Sequence, residues 1–214
     1  NDHIQDVARR FAEQGYVAAA PDLFHRAGRL LTVPYSDMPG TAKLREGLTE
    51  DDLVGDLNAL ISHLQSASSL SRREIGITGY CYGGRVSYLA ACRVEDIGAA
   101  AVYYGGGIVP RADQPTPAVP LIDLTDQITC PIIGFFGEED KGIPVESVDK
   151  IRATLEEKGK TANIYLYPNA GHGFFCDDRE GSYNKEAADD AWDKTLKFFE
   201  QHFSGIMPCE ILVD

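Results

Sequence analysis

The chain has 214 residues, 43% hydrophobic and 25% charged, which suits one globular domain large enough to bury a core without disulfide or metal staples. Twenty basic side chains against 33 acidic ones leave a net charge of −13. That argues against nucleic acid or an anionic membrane as partner, because both are held through basic patches.

Short apolar runs and amphipathic helical patterns alternate along the chain. A helix over Ile4–Gln14, with Ile4, Val7, Ala8 and Phe11 on one face, leads into a strand at Tyr16–Ala20. A helix at Glu50–Gln65 is followed by a strand at Glu74–Thr78, a helix at Gly84–Cys92 and a strand at Ala99–Tyr104. The Pro-rich stretch Val109–Pro120 reads as a loop. Next come a strand at Pro131–Phe136, a helix at Val145–Lys158 that stops near Gly159, a strand at Asn163–Tyr167 and a helix at Lys185–His202. The strands are mostly continuous apolar runs, as in a parallel sheet covered on both faces. A three-layer α/β domain over residues 1–204 is expected, with residues 205–214 as a short apolar tail. One feature is unusual: the chain opens into a helix with no strand before it, although a parallel sheet on the βαβ plan needs one there.

No apolar run approaches the roughly 20 residues that span a bilayer, and no leader pattern opens the sequence. The five cysteines, Cys81, Cys92, Cys130, Cys176 and Cys209, form no CxxC pair and no cluster of zinc spacing. Free thiols in a reducing compartment are expected, and with them a cytoplasmic location.

The most informative stretch is Gly79-Tyr80-Cys81-Tyr82-Gly83. It has the form G-x-C-x-G, placed after a β-type run and before a helical one, which is the setting of a nucleophile elbow with cysteine in place of serine. Glycines on either side leave room for a strained backbone, and Gly84 lets the helix pack close to the sheet. The helix N-terminus favours thiolate, and the backbone N–H of Tyr82 becomes a candidate oxyanion-hole donor. No phosphate-loop or dinucleotide fingerprint is present.

An elbow nucleophile needs an acid and a histidine later in the chain. Glu138, Glu139 and Asp140 follow the strand at Pro131–Phe136, and His172 lies in Asn169-Ala170-Gly171-His172-Gly173-Phe174, after the next strand. His172 would move the thiol proton, and one carboxylate would orient the imidazole. Residue types alone leave the choice among the carboxylates open. His63 and His202 fall within helices, His25 lies among basic residues and His3 near the terminus; each reads as structural or solvated. Cys176 is a candidate second thiol, or a packed loop cysteine.

Together, Ala20-Pro21-Asp22-Leu23-Phe24, Gly79-Tyr80-Cys81-Tyr82-Gly83-Gly84, Phe136-Gly137-Glu138-Glu139-Asp140 and Ala170-Gly171-His172-Gly173-Phe174 make the chain resemble the dienelactone hydrolase family over about residues 1–203. The resemblance implies an α/β-hydrolase fold, a mostly parallel sheet with helices on both faces, and the triad Cys81, Asp140 and His172. It also implies hydrolysis of a small-molecule lactone or ester, the dienelactone carboxymethylenebutenolide to maleylacetate, through an acyl-cysteine, with no cofactor.

Two departures from the family pattern stand out. The N-terminal strands that precede the first helix in the family are lacking, and with them the loop that supplies a second oxyanion amide. In the family's strand order the strand that is lacking lies between those at Tyr16–Ala20 and Glu74–Thr78. A gap with unpaired strand edges is therefore expected there, unless another segment completes the fold. The family also holds a substrate carboxylate with arginine; Cys176 stands where one such arginine falls, and Arg179 comes three residues later. Arg26, Arg29, Arg45, Arg85 and Arg179 are all candidates by charge and fork geometry. Two other classes compete with the hydrolase: a thiol-redox protein using Cys81, and a non-catalytic relative that binds a partner through the open sheet edge.

Overall fold

The structure is a computed structural model and describes residues 1–68, 70–95, 97–111, 119–203 and 209–213. Helix α1 (Asp2–Glu13) is capped by Asn1, whose side-chain oxygen accepts from the Ile4 amide at 3.0 Å. Its face of Ile4, Val7 and Phe11 is buried, as the spacing predicts. Strand β1 (Val17–Ala19) follows, then α2 (Met38–Leu44) and α3 (Glu50–Ser68). The expected core alternation comes next: β2 (Ile75–Tyr80), α4 (Tyr82–Arg93), β3 (Ala99–Tyr103), β4 (Ile132–Gly137), α5 (Val145–Glu157), β5 (Ala162–Tyr167) and α6 (Lys185–His202). A final strand, β6 (Cys209–Val213), ends the described chain.

The sheet has the order β1-β6-β2-β3-β4-β5, and every pairing is parallel. Strands β2, β3 and β4 are buried along their whole length, which is why their sequences show no in-and-out alternation. Helices α1 and α6 cover one face and meet through Phe11 and Trp192, whose ring centroids are 4.5 Å apart. Helix α4 packs against β2 and β3 with α3 beside it, and α5 packs against β5.

Three expectations shift. Strand β2 begins at Ile75, because the Glu74 carboxylate accepts from the Ser71 amide and hydroxyl at 2.9 and 2.7 Å and closes a short 3-10 turn over Arg72–Glu74. Helix α2, short and proline-bearing, carries too little periodicity to be read from sequence; Asp37 caps it through the Gly40 amide at 2.9 Å. The larger correction concerns the sheet. The gap expected between the first two strands is filled by β6, which pairs with β1 through Val17–Ala19 and with β2 through Ile75–Gly79. Five residues read as tail are thus a central strand. Most of the loop expected at Val109–Pro120, and residues 205–208 and 214 of the expected tail, lie outside the described residues.

Gly84 fulfils its expected role. A Cβ there would sit 2.4 Å from the Tyr103 carbonyl oxygen and 2.9 Å from the Gly105 Cα. Both are backbone atoms, so no rotamer change can relieve the clash. Gly84→Ala is expected to destabilise the chain by about 1–3 kcal/mol, as overpacking does, seen as a lower urea midpoint at unchanged slope. Gly55→Ala, in exposed mid-α3 with nothing near its Cβ, is expected to do the opposite by about 0.5–1 kcal/mol.

Candidate active site

Cys81 joins β2 to α4 with φ 57° and ψ −113°, in the positive-φ region that a side chain rarely adopts. The turn is pinned on one side, where the Cys81 amide donates to the Tyr103 carbonyl at 3.1 Å. Such a backbone lifts the side chain off the sheet, and Cys81 is exposed. The first α4 bond to close back on the turn runs from the Arg85 amide to the Cys81 carbonyl, at 3.3 Å. The amides before it, that of Tyr82 first, have no intrahelical acceptor, and the positive end of the helix lies at the sulfur.

The acid and the histidine come from the loops after β4 and β5, which touch backbone to backbone. The Glu138 amide donates to the Tyr167 carbonyl at 3.0 Å and the Glu139 amide to the Ala170 carbonyl at 2.9 Å. That approach requires Gly137, where a Cβ would fall 2.2 Å from the Ala170 oxygen. Glu138 and Glu139 are exposed, whereas Asp140 turns inward and is buried. Its Oδ1 accepts from the amides of Gly142 at 2.8 Å and Ile143 at 3.1 Å. Its Oδ2 lies 2.7 Å from Nδ1 of His172, and Nε2 of His172 lies 3.0 Å from Sγ of Cys81. The three residues named from the sequence therefore form one continuous hydrogen-bonded line.

Burial acts most strongly on His172 and pushes its pKa down, but the hydrogen bonds and charges of Asp140 and Cys81 outweigh it, and the value is raised to about 10. Tyr104, which the sequence reading passed over, packs its ring edge-on to the imidazole at 5.2 Å and has a positive φ of 37°. The run Gly105-Gly106-Gly107 directly after it is the signal that could have marked this bend.

Around the line, the segment after β1 forms one lip. Phe24 stacks on Tyr82 with centroids 6.1 Å apart, and the Arg45 guanidinium lies 4.8 Å from the centre of the same Tyr82 ring. On the histidine side, the Tyr35 hydroxyl meets the Cys176 sulfur at 3.6 Å and the Arg179 guanidinium lies 5.1 Å from the Tyr35 ring centre. Arg179 also lies against the histidine loop, since a Cβ on Gly173 would be 3.0 Å from its Nη1. The other candidate arginines divide differently: Arg26 pairs with Asp56, Arg85 pairs with Glu50 at 2.6 Å, and Arg29 is exposed.

Cys176 is buried, its pKa raised by that burial, and it is a free thiol, as are Cys81, Cys92 and Cys130. His25 is exposed beside Asp56, His63 is exposed, and His3 is buried with Nδ1 3.3 Å from Asp177. Among the described residues no group of acidic, His or Cys side chains could hold a metal ion, and no helix is long and apolar enough to cross a membrane.

Residues 1–203 match the Dienelactone hydrolase family. A Synechocystis protein named "Putative carboxymethylenebutenolidase" is 38% identical over 202 residues, covering 94% of this chain and 80% of its own length. A protein of the same name from Escherichia coli K12 is 34% identical over 205 residues, covering 94% of this chain and 73% of its own. Among solved structures, the "Putative Dienelactone Hydrolase" from Klebsiella pneumoniae superposes with a TM-score of 0.81 at 31% identity, covering 94% of this chain and 82% of its own.

The raised pKa of His172 has a definite sign. The partners that hold it protonated stabilise the fold fully below the ordinary imidazole value of 6.5, and that stabilisation is lost as pH rises through about 10. In an NMR titration the His172 ring is expected to change near pH 10. Asp140→Asn is expected to bring the midpoint down toward the ordinary value, and an unmoved midpoint would contradict the coupling.

Proposed function

Since the chain belongs to the dienelactone hydrolase family and is by that membership a hydrolase, we propose that it opens lactones and carboxylic esters through an acyl-cysteine on Cys81. The observation that carries this reading is the line from buried Asp140 through His172 to an exposed sulfur 3.0 Å from Nε2. That separation is within reach of direct proton transfer.

In the proposed cycle the sulfur attacks with its proton already resting on His172, and adds to the carbonyl carbon. Asp140 fixes the imidazole tautomer and balances the imidazolium charge. The carbonyl oxygen becomes an oxyanion beside the Tyr82 amide, a donor already oriented by the start of α4. Collapse of the tetrahedral adduct breaks the ring C–O bond, and His172 Nε2 passes its proton to the departing enol oxygen. The chain-bound thioester is then attacked by water. His172 takes the water's proton, and collapse of the second adduct releases the carboxylate product and returns the thiol.

For the substrate, we take an enol-lactone carrying its own carboxylate, dienelactone, converted to maleylacetate. Two guanidinia at the mouth support this. Arg45 on Tyr82 and Arg179 beside Gly173 are half-buried and supported by aromatic rings, and neither has a carboxylate within ion-pair distance among the described residues. Guanidinium is suited to a carboxylate by its planar fork of donors.

The experiment is lactone and activated-ester hydrolysis by the parent chain and by variants. Cys81→Ala is expected to reduce turnover to the uncatalysed background, and His172→Ala to lower kcat by about 10²–10⁴-fold, the range of a lost general acid–base. Full activity in Cys81→Ala would end the acyl-cysteine reading. Arg179→Met is expected to raise KM about tenfold for a lactone bearing a carboxylate, the scale of one charged hydrogen bond. KM for a neutral ester should be unchanged; equal effects on both would remove Arg179 from substrate binding.

A further inference from the structure

We propose that Asn184, the residue that caps α6, is a positioning residue for His172 and holds the histidine loop through its side-chain amide. The role rests on the acyl-cysteine reading for its kinetic consequence. His172 lies in an arc from Asn169 to Phe174, and Asn184 ties down both ends of that arc. Its Nδ2 donates to the Asn169 carbonyl at 3.0 Å, three residues before the histidine. Its backbone amide donates to the Phe174 carbonyl at 2.9 Å, two residues after it. The side chain has a second duty, because its Oδ1 accepts from the Ala187 amide at 3.1 Å and caps the helix. Both ends of the side-chain amide are therefore engaged, one on the helix and one on the arc.

The arc needs a hold of this kind. Asn169 at φ 57° and Gly173 at φ 83° both have left-handed backbone, and glycines flank His172 at 171 and 173. Glycine loses the most conformational freedom on ordering, so the arc's own sequence does little to fix it. The imidazole must nevertheless meet two partners at once, Asp140 at 2.7 Å and Cys81 at 3.0 Å. One tie comes from the acid's loop, where the Glu139 amide donates to the Ala170 carbonyl. Asn184 supplies the tie to α6, and α6 is itself fixed relative to the nucleophile. The buried Tyr103 hydroxyl donates to the Ala191 carbonyl at 3.1 Å and lies 2.6 Å from the Thr195 hydroxyl, both on α6. The carbonyl of the same Tyr103 accepts the Cys81 amide. The nucleophile's turn and the histidine's arc are therefore referenced to one helix, through Tyr103 and Asn184. Without the Nδ2 bond the start of the arc is released and the imidazole drifts from its line. A displacement of about 1 Å costs about 10²-fold in rate. Among the favoured N-cap residues, asparagine alone carries an acceptor and a donor on separate atoms, as serving helix and arc together requires.

The test uses the full chain in two variants. Asn184→Ser supplies a single oxygen, which caps α6 and leaves the Asn169 carbonyl without its donor; Asn184→Ala loses both bonds. Three quantities are followed: the urea midpoint, kcat and KM on an activated ester, and the NMR titration midpoint of the His172 ring. The groups that face that ring are Asp140, Cys81 and the edge-on Tyr104. Asn184→Ser is expected to keep the parent's urea midpoint and to lose about 10–10²-fold in kcat with KM little changed. Its His172 midpoint is expected to fall from near pH 10 toward 6.5, as the contacts to Asp140 and Cys81 lengthen. Asn184→Ala is expected to match it in kcat and ring midpoint and to unfold at lower urea, because the cap is lost as well. A parent-like kcat or ring midpoint in Asn184→Ser would overturn the proposal. So would losses confined to Asn184→Ala, since Asn184 would then serve as a helix cap only. If the parent hydrolyses no ester the hydrolase reading falls, while a lowered ring midpoint in Asn184→Ser would still sustain the hold of Asn184 on the imidazole.

Discussion

An exposed sulfur can meet an imidazole nitrogen at 3.0 Å only if the residue bearing it leaves the sheet abruptly. Here the departure is made in a backbone conformation that cysteine does not favour, φ 57°. Much of the rest of the structure can be read as the set of restraints that hold this one residue there. Tyr103 accepts the Cys81 amide, and helix α4 starts immediately after it. Gly84 lets that helix lie close to the same Tyr103 carbonyl, since a Cβ there would fall 2.4 Å from its oxygen. A larger residue at Gly84 would move the helix, and with it both the helix N-terminus and the Tyr82 amide. Strain, dipole and donor are thus one feature with one dependence.

The partner side of the site obeys the same logic with different parts. His172 lies on a loop that would be free to drift if it were not tied to the loop of Asp140. Gly137 is what allows the tie, by letting the backbone of one loop lie directly on the other. The Asp140 carboxylate is fixed by two amides on one oxygen and by the imidazole on the other. A carboxylate held this way is already ordered around the imidazolium charge that the raised pKa of His172 favours. The exposed Glu138 and Glu139 lack that support although they are chemically similar.

This division explains what could be read in the sequence. Cys81, Asp140 and His172 were legible because each follows a strand, and parallel strands deliver their ends to one edge of the sheet. Gly84 was legible because its role is local to the elbow. The choice of Asp140 over Glu138 and Glu139 was not legible from residue types, since it rests on which side chain turns inward; it came from the family pattern. Tyr104 was missed because its bend matters only against His172, far away in the chain. Strand β6 was missed for a related reason. A short, mostly apolar run after a long helix has the same local pattern whether it trails in solvent or enters a sheet, and only the pairing needs of β1 and β2 distinguish the two. Those needs were visible as a gap with unpaired edges; what filled it was not.

Charge distribution follows from the same geometry. The chain carries 33 acidic side chains and 20 basic ones, so a cation on its surface meets a carboxylate easily. Arg10, Arg26, Arg85, Arg93 and Arg152 all do. Arg45 and Arg179 are held instead over the rings of Tyr82 and Tyr35, at the two sides of the reactive line. An aromatic face restrains a guanidinium through its quadrupole and leaves its terminal donors for a ligand, although Arg45 Nε donates to the Thr41 carbonyl at 3.4 Å. A carboxylate partner would neutralise the charge and occupy those donors. Ring support at these two positions therefore keeps positive potential at the mouth of a strongly negative protein, where an incoming anion would otherwise be repelled.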